Sequence, residues 1–411
     1  HGCAQRHEQD TEEEHIPDLP QGRIGKQGEF RTEGSQREWF YKLCKRRGHY
    51  SVDMFCTQPF NHIDIIVEND KVQLQPCNVW SNKKYTIEEY KEGVADLKEI
   101  LQTSYHYPGC RICWNEDKKN IRSRRVAQNQ FVDDNNLSLQ KLQSLGVRYG
   151  TLCNSKCMIC SHNRSSSWIV DSEKLGYKIE EQHRFKKNLL PGVDIFFDNF
   201  DLDELKYVEF HGGEPLMQSY PAEFLKRVKN LDQLIVKFNT NLTILPSPEL
   251  NELLKKCKRV DFLLSVDDIG DRYEMVRYPG KWDIFTKNMS TIKQQGYRAT
   301  AYNCLSSLNI FYAVEFYSWA IKNFGNEVHS QFVTDKEMLD ISYLPQHAKD
   351  IVLEKILKYK GKIFDSIRAK LNLQQEDRSK ELLKYIADLD EIRKTNYPET
   401  FKEWYTILNK K

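Results

Sequence analysis

The chain has 411 residues, 39% hydrophobic and 29% charged, and its 61 basic and 59 acidic side chains leave a net charge of only +2, a balance that exerts no general pull on nucleic acid. That length accommodates one large domain with a smaller one attached, or two to three of common size. No run of about eighteen apolar residues occurs and no secretory hydrophobic region precedes the first domain, which excludes a transmembrane helix and leads us to expect a cytoplasmic protein with no membrane or nucleic-acid partner.

Residues 1–53 are polar and charged, as in HEQDTEEEH and KQGEFRTEGSQRE, and contain no methionine, the composition of a disordered tail or of upstream sequence. From Met54 the pattern changes. HIDIIVEND and KVQLQPC predict two strands joined at Asn69 and Asp70, a hairpin. A helical stretch follows from Thr86 to about Gln102, and PGCRICW then supplies a C-x2-C knuckle at Cys110 and Cys113. Residues 54–135 are read as one small domain. The basic run KKNIRSRR at 118–125, which would be the place for an acidic partner, reads as a solvated face.

Over residues 136–335, short β-branched or aromatic runs alternate with helical patterns: LGVRYG, LKYVEFHGG, LIVKFNTN, VDFLLSVDD, RATAYNCLSS and EVHSQFVT. Strands alternating with helices imply parallel βαβ units, and six of them suit an open or partial (β/α)6 barrel better than a closed eight-stranded one. Residues 336–411 are helical and rich in Lys and Glu, with an apolar face that includes Ile351, Leu353, Ile356 and Leu357. The expected fold class is therefore α/β: a partial barrel, a small N-terminal hairpin and helix domain, and a helical C-terminal segment.

Eleven cysteines without a signal peptide point to a reducing compartment in which thiolates serve metals. Cys3, Cys44, Cys257 and Cys304 stand alone, as buried small hydrophobes do. Cys153, Cys157 and Cys160 form a C-x3-C-x2-C loop after the first barrel strand. Three thiolates on so short a loop converge on three corners of a [4Fe–4S] cube and leave the fourth iron open to a small molecule; a zinc site completed by His162 is the alternative. Upstream, Cys56, Cys77, Cys110 and Cys113 make a complete four-thiolate set that would saturate a cluster or Zn²⁺, and their spacing does not choose between the two.

CNSKCMIC, with FHGGEPLM at 210–217, TN at 240–241 and LSVDD at 264–268, resembles the radical S-adenosylmethionine (SAM) superfamily. From about Met54 to the LDEIRKTNYPETFKEW ending, the chain resembles more narrowly the radical SAM proteins with an N-terminal twitch-type, SPASM-like auxiliary-cluster domain. The resemblance implies that Cys153, Cys157 and Cys160 hold a [4Fe–4S] cluster whose open iron binds the amino and carboxylate groups of SAM. Reductive cleavage of SAM would give methionine and a 5′-deoxyadenosyl radical that abstracts hydrogen from a substrate. Gly212, Gly213 and Glu214 would meet the methionine end, since two glycines let the backbone approach closely and a carboxylate complements an ammonium. Ser265 and Asp267 would sit near the ribose. Asn241 and Asn303 end the third and fifth barrel strands and would face SAM or substrate, or else form turns. Arg277 would pair with a carboxylate or stay solvated, and Cys304 is a conceivable hydrogen donor in an epimerisation.

On the same resemblance, the upstream cysteines hold a second, auxiliary [4Fe–4S] cluster that relays an electron, as an oxidation or crosslinking requires. A flavodoxin or ferredoxin would be the electron donor, and the substrate a peptide, sugar or small metabolite. Two departures stand out: Ile159 occupies the place of a common aromatic before the third cysteine, and Asn78 the place of a second cysteine after the hairpin. SHNRSSSW at 161–168 reads as helix capping, with phosphate binding through Arg164 as the other possibility. A non-catalytic zinc- or iron–sulfur-binding interaction module on the same fold is the rival class.

Overall fold

The computed structural model describes residues 55–103, 107–118, 123–181, 184, 186 and 190–410; the expectation for residues 1–53, Cys3 and Cys44 included, lies outside them. All six anticipated barrel strands form: β3 (Ser144–Tyr149), β4 (Tyr207–His211), β5 (Ile235–Thr240), β6 (Arg259–Ser265), β7 (Arg298–Leu305) and β8 (Val328–Phe332). Each runs parallel to the next. The hairpin also forms, with β1 (His62–Glu68) antiparallel to β2 (Lys71–Gln75) and Asn69 at φ 54° in the turn, a left-handed conformation that asparagine tolerates.

The sheet continues across the anticipated boundary between residues 135 and 136. β1 lies parallel to β3, with His62 opposite Ser144 and Val67 opposite Tyr149, so one eight-stranded sheet runs in the order β2-β1-β3-β4-β5-β6-β7-β8. Its edge strands β2 and β8 do not pair with each other, which leaves it open. Ile63, Ile65 and Val67 accordingly share one apolar core with Val147, Phe210 and Phe238.

Alternation along the strands sorts the two faces of the sheet. One face carries Phe210, Phe238 and Phe262, fully buried with successive ring centroids 5.3 and 5.4 Å apart, and truncating any of them costs about 3–5 kcal/mol. The other carries Asp64, Glu209, His211, Lys237, Asn239 and Tyr302.

The helical stretch after the hairpin divides at Val94 into a four-residue turn, Tyr90–Gly93, and α1 (Ala95–Thr103). The C-x2-C pair is a helix start rather than a knuckle: Cys110 ends a 3₁₀ turn and Cys113 lies in the first turn of α2 (Arg111–Lys118). Next comes α3 (Arg124–Asp134), capped by Ser123, whose Oγ accepts from Val126 N at 3.3 Å. At its end the basic run departs from a solvated face, although Lys118 is exposed and residues 119–122 lie outside the described ones. The Arg125 side chain is 4% exposed and donates to Asp117 Oδ2 at 2.9 and 3.1 Å, while Arg124 reaches the polar face of the sheet, 3.5 Å from Glu209 Oε2.

Helices α4 (Trp168–Lys174), α5 (Asp194–Asn199), α6 (Tyr220–Arg227), α7 (Pro248–Leu254), α8 (Gly270–Val276), α9 (Trp282–Gln294) and α10 (Ala313–Phe324) lie in the connections between strands. The C-terminal segment is helical as anticipated, with α11 (Gln346–Ile356), α12 (Lys362–Leu371), α13 (Ser379–Arg393) and α14 (Lys402–Leu408). Among the described residues no helix is long and apolar enough to cross a membrane.

Candidate functional site

The carboxyl ends of β3 to β7 carry the barrel residues singled out from the sequence except Arg277, which caps the C-terminus of α8. The Cys153–Cys160 loop leaves β3 and is held through its backbone: Lys156 N donates to Tyr278 O at 2.6 Å, Met158 N to Val276 O at 2.7 Å, and Trp168 Nε1 to Cys157 O at 2.9 Å. Two further clamps come from the C-terminal side, where Tyr385 Oη donates to Met158 O at 2.6 Å and Lys336 Nζ to Cys160 O at 3.0 Å. Arg393 ion-pairs with Asp171 at 2.8 Å and stacks 4.7 Å over Trp168. The clamping side chains of Trp168, Lys336, Tyr385 and Arg393 lie in separate helices and loops with no shared spacing, so no sequence pattern marks them. Tyr385→Phe removes one buried hydrogen bond and should cost about 1 kcal/mol in a urea unfolding experiment.

The three thiols lie within electrostatic reach of one another. Burial, reinforced by Cys157, pushes Cys153 up to about 12 and Cys160 up to about 11. Burial also raises Cys157, against the pull of Arg277. Ser155 N points at Cys153 Sγ at 3.4 Å and Asn241 Nδ2 at 3.8 Å. Among the described residues no three His, Cys, Asp or Glu side chains already close on a common point at ion-ligating distance.

The donor set nonetheless fits a thiolate-ligated cationic group. Three thiols converge on one loop, N–H groups aim at sulfur, and the same rim leaves Arg277 Nε, Asn303 Oδ1 and Tyr273 Oη buried with no hydrogen-bond partner, as a polar ligand would require.

Glu214 is buried, its Oε1 accepting from Thr240 Oγ1 at 2.7 Å and Leu216 N at 3.1 Å and its Oε2 from Asn241 N at 2.7 Å. Its carboxylate therefore binds the rim itself together. Asn241 does the same for the loop, donating to Asn154 Oδ1 and Ser155 Oγ at 2.9 Å. Asp267 meets Arg277 at 2.5 Å and accepts from Cys304 N at 2.8 Å, so neither Asp267 nor Arg277 is solvated. Asn303 Nδ2 donates to Asp267 O at 3.0 Å, and Cys304 Sγ accepts from Gln331 Nε2 at 3.6 Å. Ser265 ends β6 beside Tyr302.

Burial pushes the Glu214 carboxyl up to about 7 against its hydrogen bonds. The folded value thus exceeds the ordinary 4.5, so this group favours the fold below the unfolded value and that contribution is lost as pH rises through the folded one. Against Glu214→Gln, the wild-type chain should lose about 3 kcal/mol of relative stability between acid and alkaline ends of that window, read from urea midpoints.

The upstream cysteines also assemble. Cys56, Cys77 and Cys110 pack with Trp80, Leu97 and Leu101, and Cys56 and Cys113 both lie within electrostatic reach of Cys77 and Cys110. Burial pushes Cys56 and Cys110 up to about 12, with Arg125 opposing.

Residues 147–312 match the family model of the Radical SAM superfamily, and this stretch is a radical SAM domain. No curated protein matches the sequence. Among solved structures, native anSMEcpe with bound AdoMet is 14% identical at TM-score 0.37, with 57% of this chain and 64% of that one covered. Streptococcus suis SuiB bound to S-adenosylmethionine is 14% identical at TM-score 0.35, with 74% and 68% covered. The chain thus spans slightly under two thirds of anSMEcpe.

Proposed function

We propose that this chain is a radical SAM enzyme that uses SAM and a [4Fe–4S] cluster on Cys153, Cys157 and Cys160 to oxidise, crosslink or epimerise a substrate. The single observation that carries the reading is the meeting of the three-cysteine loop with the Glu214 and Asn241 rim inside a radical SAM domain. When bound, the cluster and SAM would supply a 5′-deoxyadenosyl radical able to take hydrogen from an unactivated C–H bond. The chain's own residues fix the geometry. Gly212 and Gly213 make room for the Arg148 side chain and the Leu152 carbonyl and so set the turn beside SAM's methionine end; Glu214 and Asn241 lock the rim and loop; Ser265, Asp267, Arg277 and Asn303 line the rest of the SAM or substrate side. Cys304 would donate hydrogen if the reaction is an epimerisation.

In the same reading, residues 54–135 are the auxiliary, twitch-like unit, 136–335 the barrel and 336–411 the extension that clamps the loop. Cys56, Cys77, Cys110 and Cys113 hold a second, fully ligated [4Fe–4S] cluster as an electron relay. The setting is the cytoplasm, the donor a flavodoxin or ferredoxin, and the substrate a peptide, sugar or small metabolite. Anaerobically isolated protein should be brown, bleach with dithionite and release 5′-deoxyadenosine from SAM; a colourless zinc protein that leaves SAM intact would replace the enzyme with a binding module. Reconstituted protein should carry about eight irons and Cys110→Ala/Cys113→Ala about four, measured by iron analysis, whereas one zinc in their place would make the upstream site structural.

A further inference from the structure

The polar face of the sheet holds a side-chain chain that the proposed SAM site does not use. Asp64 on β1 is 2% exposed and sits between two imidazoles: its Oδ2 lies 3.4 Å from His62 Nε2 and its Oδ1 3.6 Å from His211 Nε2. His62 is closed off at its other nitrogen, Nδ1 lying 2.6 Å from Ser144 Oγ. His211 is different. It is the last residue of β4, directly before Gly212, and its side chain retains 20% exposure. Burial pushes the Asp64 carboxyl up, yet the two histidines more than offset this and hold it well below the ordinary carboxylate range.

Asp64 and His211 stand on strands separated by β3, a span of roughly 10 Å between backbones. They meet because β3 has Gly146 between them: a Cβ there would overlap Asp64 Oδ1 and come within 3.5 Å of His211 Nε2. The carboxylate comes from the hairpin, outside the stretch that matches the superfamily, while the histidine lies inside it. The other charged groups nearby are engaged. Arg148, beside His211 in the β3–β4 register, ion-pairs with Glu68, and Glu209 on the same strand as His211 holds Arg124 and Lys237.

We propose that His211 is a proton acceptor of the barrel interior and Asp64 its positioning residue. At 3.6 Å the carboxylate stands just beyond hydrogen-bond length from Nε2, and its negative charge favours the tautomer with the proton on that nitrogen, which leaves the lone pair on Nδ1. Nδ1 would take the proton of a hydroxyl, amine or thiol on the substrate: the X–H bond breaks, an N–H bond forms on His211, and the electron pair stays on X. The substrate class is thus one with an ionisable X–H beside the reacting carbon. That last step rests on the radical SAM reading; the dyad itself does not.

The test uses the full chain labelled with ¹⁵N-histidine, and long-range ¹H–¹⁵N spectra assigned with His211→Gln. His211 should be the Nε2–H tautomer, and Asp64→Ala should shift its ring signals to those of an averaged imidazole. Gly146→Ala, which keeps the carboxylate and closes the gap, should produce the same shift. Diethyl pyrocarbonate, which acylates unprotonated imidazole nitrogen, should label His211 and spare buried His62, as read by peptide mass spectrometry. An averaged or Nδ1–H ring in the wild-type chain, or an unlabelled His211, overturns the proposal even if both variants fail to fold. Neither readout needs SAM or iron, so a failed dyad and a failed radical SAM reading give separate results.

Discussion

Replacing Cys153, Cys157 and Cys160 together with alanine is expected to abolish 5′-deoxyadenosine formation and to remove about four irons, leaving about four at the upstream site. The chain should remain folded. The clamps on this loop, from Trp168, Tyr385 and Lys336, all grip backbone carbonyls and none depends on sulfur. Burial raises all three thiols so that without a bound cation they stay protonated near neutral pH, and their replacement by alanine removes small neutral groups rather than charges. The measurements are iron analysis, SAM turnover by chromatography and a thermal melt. Persistent 5′-deoxyadenosine from the triple variant would end the assignment of these cysteines.

Gly213→Ala is expected to destabilise the chain by about 2–4 kcal/mol and to abolish SAM cleavage with it. Gly213 has φ 53°, in the left-handed region, which alone costs an alanine about 1–2 kcal/mol. A Cβ there would also overlap Leu152 O and lie 2.9 Å from Leu152 C. That carbonyl cannot swing away cheaply, because it accepts from Glu214 N at 2.7 Å and the next residue is Cys153. The strain therefore passes directly into the three-cysteine loop and into the Glu214 rim. Urea unfolding together with SAM turnover checks the prediction, and a variant of wild-type stability would show that the Leu152 carbonyl can yield.

The sequence by itself determined the six barrel strands, the hairpin, the helical C-terminus and the three-cysteine loop. Each is a local signal: β-branched runs of period two between helical stretches, a turn at Asn69 and Asp70, and thiols a few residues apart. The GGEP turn was legible for the same reason, since its glycines answer to a backbone conformation set within two residues. Only the tertiary structure decided that β1 joins the barrel sheet. Strand pairing is a choice between distant segments, and nothing within HIDIIVEND names β3 as its neighbour. That choice in turn brings Asp64 to His211 across Gly146, although the alternating polar residues of β1 and β4 were visible all along as a face without a partner. Arg124 and Arg125 make the same point in reverse. Their run of charge reads as solvated because burying an unpaired cation is prohibitively costly, and only the fold supplied Glu209 and Asp117 to pair with them.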